Sequence, residues 1–99
     1  MTPETTFKNT VQRYLNQIGA YSVKQHGNMF TKKGVPDLLV CLNGHFIALE
    51  LKAENGHASE LQLYQINKIK EAGGIALLLY PKDFENFKKI CEEVLKCQI

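Results

Sequence analysis

Tryptophan is absent from the 99 residues, and proline and cysteine occur three times each. The cysteines, Cys41, Cys91 and Cys97, are odd in number and form no CxxC pair, so no disulfide framework is indicated. With three scattered histidines they make no zinc pattern either, and a reduced, cytoplasmic setting is the expectation. No apolar run reaches the roughly 18 residues of a membrane-spanning helix. The start, MTPETTFKNT, has no basic segment leading into an apolar stretch, so no secretory signal is read. Repeats, linkers and low-complexity segments are missing as well.

What remains is a chain of one-domain length with an ordinary hydrophobic content of 44%. Its net charge of +2 is unevenly spread. Residues 1–33 carry Lys8, Arg13, Lys24, Lys32 and Lys33 against Glu4, whereas residues 34–99 carry seven lysines against nine acids. A basic first third suits a polyanion partner, although so small an excess is also what a solvated surface carries.

Thr2-Pro3-Glu4 has the form of a helix start, with a capping hydroxyl, proline at the first helical position and an acid in the first turn. Phe7, Val11, Tyr14, Leu15 and Ile18 follow at helical spacing until Gly19. Residues 21–26 alternate as a short strand, and the loop GNMFTKKG over 27–34 reads as flexible and basic. Apolar runs at 36–42 and 45–52 flank Asn43-Gly44, the strongest short hairpin signal. A helix is predicted from about Ser59 to Ala72. Next come a continuous apolar strand over 75–80, of the kind buried on both faces, and a last helix over about 83–96. The order α-β-β-β-α-β-α predicts one α/β domain with a mixed sheet. The helical crossover makes strands 45–52 and 75–80 parallel, though not necessarily neighbours.

The hairpin contains an anomaly. In PDLLVCLNGHFIALELK, from Pro36 to Lys52, the apolar run is broken by Asp37, Glu50 and Lys52. A two-residue Asn-Gly turn sets Leu42 opposite His45, and the same register carries Asp37 to a place opposite Glu50, with Cβ atoms about 5 Å apart. Lys52 falls on the same face by alternation, while Ile47, Leu49 and Leu51 point to the other, core-like face. Opposed carboxylates repel, so a shared proton, a lysine or a divalent cation has to offset them. Oxygen-only ligands favour Mg²⁺ or Mn²⁺, and such an ion with a lysine beside it is the outline of a phosphodiester-hydrolysis site. An amphipathic strand whose polar face meets solvent would carry the same letters, and both readings stand at this point.

Gly34-Val35-Pro36-Asp37, a hairpin, and Glu50-Leu51-Lys52 resemble the G-x-PD…E-x-K signature of the PD-(D/E)XK nucleases. The ELKAENG turn and the helix ASELQLYQINKIKEAGG narrow the resemblance to stand-alone VRR-NUC domains, many of them encoded by phages. It covers about Thr2 to Tyr80. The resemblance implies a restriction-endonuclease-like αβββαβ core with a C-terminal helix added. It also implies Mg²⁺- or Mn²⁺-dependent cleavage of branched DNA such as four-way junctions, by a homodimer in a bacterial or phage-infected cell, with no organic cofactor. Asp37, Glu50 and the backbone carbonyl of Leu51 would hold the metal, and Lys52 would be the catalytic lysine.

Gln62 matches the family's helix glutamine and is equally the last residue of an S-x-x-Q capping box. Gln65 lies on a neighbouring part of that helix face. The family's first helix usually offers a glutamate where this chain has Lys8, and Glu4, one turn earlier, is the substitute. An acid at a helix start also serves the helix dipole. Lys24, His26, Lys32 and Lys33 are candidate phosphate contacts. Tyr21 and Tyr64 have the spacing of core residues, with base stacking as the other use. The apolar stripe of the last helix is a candidate dimer contact, and it is also what a helix packed on its own sheet would show. The rival class is a catalytically silent DNA-binding module on the same fold. A nuclease preferring flaps, nicks or duplex ends is the third option.

Overall fold

The computed structural model describes residues 1–26 and 32–97. Helix α1 (Pro3–Gln17) starts as its sequence dictates: the Thr2 hydroxyl accepts the Thr5 amide at 3.1 Å and proline occupies the first turn. Four strands follow in sheet order β1 (Tyr21–Lys24), β2 (Leu38–Leu42), β3 (His45–Leu51) and β4 (Ile75–Leu79). Helix α2 (Glu60–Glu71) makes the crossover from β3 to β4. A short 3-10 turn (Pro81–Asp83) then leads into α3 (Phe84–Lys96). The expected element order and α/β class hold, and β3 and β4 are direct parallel neighbours. The predicted loop over 27–34 lies outside the described residues except for its last three positions.

Asn43 (φ 50) and Gly44 (φ 78) both adopt the left-handed conformation of a two-residue hairpin turn, which few residues tolerate. The resulting β2–β3 ladder pairs Leu42 with His45 and runs to Leu38 with Leu49, in the register expected. Asn43 has a second duty that the turn alone does not announce. Its side-chain amide donates to the carbonyls of Val94 (2.9 Å) and Cys97 (2.8 Å), closing the end of α3 where carbonyls lack helical partners.

The sheet is covered on both faces, unequally. On one side Leu38, Val40, Leu42, Ile47, Leu49, Leu51 and Leu79 meet Phe7, Val11 and Leu15 of α1 and Phe87, Cys91 and Val94 of α3. Edge-to-face aromatic pairs, Phe7 with Phe84 and Tyr14 with Phe84, tie the two helices together. On the other side α2 covers a thin layer centred on Ala48, Ile66 and Ala76.

Three expectations change here. Phe87, Cys91 and Val94 of the α3 stripe pack on this chain's own sheet, while Leu95 stays exposed. Strand β4 is an edge strand, only partly buried, because nothing among the described residues pairs beyond it. Tyr21 and Tyr64 are exposed (71% and 54%), since β1 is the opposite edge and Tyr64 sits on the outer side of α2. Among the described residues no helix is long and apolar enough to cross a membrane.

Candidate active site

The acids lie where β2 begins and β3 ends. Asp37 is one residue before the last ladder pair, so it is not held opposite Glu50 by a further backbone rung. Instead its Oδ2 accepts the Leu51 amide at 3.0 Å, and its carbonyl accepts the Gln25 amide at 2.8 Å. The side chain therefore closes the open end of the hairpin and is fixed by it. Leu51 lies between Glu50 and Lys52 in the chain, its amide committed to Asp37. Lys52 stays on the sheet because its amide donates to the Leu79 carbonyl at 2.9 Å. The turn after it is pinned by the Tyr80 hydroxyl, which donates to the Gly56 carbonyl at 2.9 Å.

Glu50 is the one buried charged side chain among the described residues, at 1% exposure. The solvent-facing alternative for this strand face is thereby excluded, because α2 lies over it. Its Oε2 receives two donors: the Lys52 ammonium at 3.3 Å and the Gln62 side-chain amide at 3.2 Å. Its Oε1 is buried and has no hydrogen-bond partner among the described residues. Burial, with the Asp37 carboxylate nearby, pushes the Glu50 carboxyl up to about 7 from the ordinary 4.5, against the pull of Lys52.

Gln62 fills both of the uses open to it. Its backbone amide donates to Ser59 Oγ (3.1 Å) and its Oε1 accepts the Ser59 amide (2.8 Å), a complete capping box. Because the oxygen is taken by an N–H, the nitrogen is the end that must face Glu50. Gln65 turns elsewhere, donating to the Lys33 carbonyl at 3.3 Å.

Lys8 was expected only as the residue displacing a family glutamate, yet it reaches the site. Its ammonium lies 3.6 Å from Asp37 Oδ1 and 3.4 Å from Glu4 Oε2. Glu4 therefore connects to Asp37 through Lys8 and makes no direct contact with either site acid among the described residues. Its four-residue spacing from Lys8 was the available signal; the direction in which α1 crosses the sheet was not. Lys24, His26, Lys32 and Lys33 are all exposed and precede Asp37 in the chain, with no ion pair to the site acids among the described residues.

The arrangement suits a hard cation. A buried carboxylate oxygen without a donor, beside a second carboxylate, is the acceptor set that Mg²⁺ or Mn²⁺ uses when it binds through one or two acids and keeps several waters. Among the described residues no group of three or more His, Cys, Asp or Glu side chains gathers to hold a metal on its own. Zinc- or calcium-style cages are not formed here.

No family model and no curated protein matches the chain. Solved structures do. A VRR-NUC domain protein superposes with a TM-score of 0.75 at 17% identity, covering 97% of this chain and 90% of its own. A second VRR-NUC domain gives 0.76 at 23% identity, covering 93% and 97%. Hjc, a Holliday junction resolvase from the archaeal hyperthermophile Archaeoglobus fulgidus, gives 0.57 at 19% identity, over 78% of this chain and 69% of its own. At these identities what is shared is architecture: the chain has a VRR-NUC-like, resolvase-like nuclease fold.

Proposed function

We propose that this protein is a divalent-metal-dependent endonuclease that hydrolyses phosphodiester bonds in branched DNA. The observation that carries the reading is Glu50: a buried carboxylate with one oxygen held by Lys52 and Gln62 and the other left without a donor beside Asp37. A silent binding module gains nothing from such a group, which costs stability and would repel DNA phosphates. Asp37, Glu50 and the Leu51 carbonyl would hold Mg²⁺ or Mn²⁺. Such an ion polarises a phosphoryl oxygen and lowers the pKa of bound water.

The chain's own residues divide the remaining tasks. Lys52 orients the attacking water or offsets charge growing on the phosphate. Gln62 fixes the Glu50 rotamer. Lys8 offsets part of the repulsion between the two acids, and Glu4 holds Lys8 in place. Lys24, His26, Lys32 and Lys33 contact the phosphate backbone, which positions the strand without reading sequence. A homodimer would set two such sites on opposing strands of a four-way junction, as the likeness to a junction resolvase supports.

A labelled four-way junction incubated with and without Mg²⁺ tests the reading. Cleavage that requires the ion and disappears in Glu50→Ala supports it. Unchanged cleavage by Glu50→Ala overturns the site, and junction binding with no cleavage under any divalent ion favours the silent module. Flap, nick and duplex-end substrates run in parallel separate the third option. Light scattering at twice the 11.2 kDa chain mass is the result expected for the dimer.

A further inference from the structure

A second feature adjoins the carboxylates, and only its Lys32 and Lys33 enter the reading above. The turn carrying Lys32 and Lys33 is docked on α2: Gly34 has φ +81, and a Cβ there would stand 2.7 Å from the Leu61 backbone. The Gln65 amide holding the Lys33 carbonyl adds a second tie. Between turn and helix lies a cleft of about 340 Å³ lined by Lys32, Lys33, Leu61, Tyr64, Gln65 and Lys68. The Tyr64 ring is half exposed, and the Lys68 ammonium lies 5.9 Å from its centroid. Glu71, 3.6 Å from Lys68, is the acid that faces this group most closely, and it leaves the two turn lysines without an ion-pair partner among the described residues.

We propose that this cleft seats one unpaired nucleotide of a DNA strand, its base stacked on Tyr64 and its phosphates on Lys32, Lys33 and Lys68. Its volume is at the small end of ligand pockets, about 300–1,000 Å³, which suits a single nucleotide. An aromatic face with lysines around it is the chemistry of single-strand recognition, where every base can stack and the backbone is neutralised. A base inside a duplex presents no free face to Tyr64, so the cleft selects for a strand that has left its partner. Position supports the link to the acids: Leu61 precedes Gln62, and Gly34 stands three residues before Asp37. The site would thus act where duplex DNA opens, at a branch or a flap. This inference rests on reading the neighbouring acids as a nuclease site.

Fluorescence anisotropy in EDTA, with a labelled short oligothymidylate and a blunt duplex of equal length, tests it without any hydrolysis. Tyr64→Ala is expected to weaken oligothymidylate binding roughly tenfold and duplex binding little, while Tyr64→Phe retains both. Lys33→Ala should weaken both and lower the salt slope by about one. Equal effects of Tyr64→Ala on the two ligands, or none on either, would overturn the proposal. So would a fall from dimer to monomer mass in Tyr64→Ala, which would mark the cleft as a contact between copies. Loss of the nuclease reading shows separately, as wild-type protein that binds the oligothymidylate but cleaves neither a four-way junction nor a flap with Mg²⁺.

Discussion

Replacing Glu50 by glutamine should stabilise the metal-free protein strongly near pH 8 and only slightly near pH 5. The folded protein holds the Glu50 proton to about pH 7, against an ordinary value of 4.5. A raised acid pKa means that the folded state binds more protons than the unfolded chain between these values. Stability is therefore full below about 4.5 and falls as pH rises through 7. At roughly 1.4 kcal/mol per pH unit, the ionised carboxylate costs about 3 kcal/mol near pH 8 and under about 1 kcal/mol near pH 5. Glutamine keeps the neutral shape: its oxygen can accept from Gln62 and Lys52, and its NH₂ can face Asp37. For a domain of this size about 3 kcal/mol corresponds to a rise in Tm on the order of 10–20 °C. Thermal or urea unfolding of both proteins in EDTA at the two pH values measures the difference. A gain of equal size at both pH values, or a loss near pH 8, would refute the argument that ionised Glu50 is destabilising in the fold.

Mg²⁺ or Mn²⁺ added near pH 8 should raise the Tm of the wild-type protein and leave Glu50→Gln nearly unchanged. At a hundredfold excess over Kd the gain is about 2.7 kcal/mol, and equal shifts in both proteins would place the ion elsewhere. Gln62→Glu separates the two duties of that residue. Glutamate at this position still completes the capping box, but it sets a third carboxylate against Glu50. A helix-only role predicts little change in Tm, whereas the observed contact predicts a loss of about 1–3 kcal/mol near pH 8 and slower cleavage.

The parts of the site that were legible in the sequence are those that short-range rules control. Asn43-Gly44 admits one turn geometry, the turn admits one register, and alternation then places Asp37, Glu50 and Lys52 on one face. Ser59 and Gln62 announce their cap by spacing alone. Other features depend on how elements cross, which no local rule fixes. Lys8 reaches Asp37 because of the way α1 lies over the sheet. Asn43 finds α3 across 51 residues of chain. Tyr21 and Tyr64 have core-like spacing, yet one lies on an edge strand and the other on the outer side of α2. The burial of Glu50 was equally hidden, since amphipathic alternation is the same whether a strand face meets water or a helix.

That burial follows from small residues elsewhere on the same face. Going back along β3 from Glu50, the next residue pointing toward α2 is Ala48, and it lies beside Ala76 of β4, both buried. Side chains this short leave a shallow layer, so α2 rests close to the strands, anchored by Ile66. Close approach is what brings Gln62, in the first turn of that helix, within 3.2 Å of Glu50. A larger residue at position 48 would lift the helix and leave Glu50 to water, trading an unpartnered buried oxygen for an ordinary solvated acid. The two alanines thus belong to the site as much as the glutamine does: they set the height of the lid under which one carboxylate oxygen is kept without a donor.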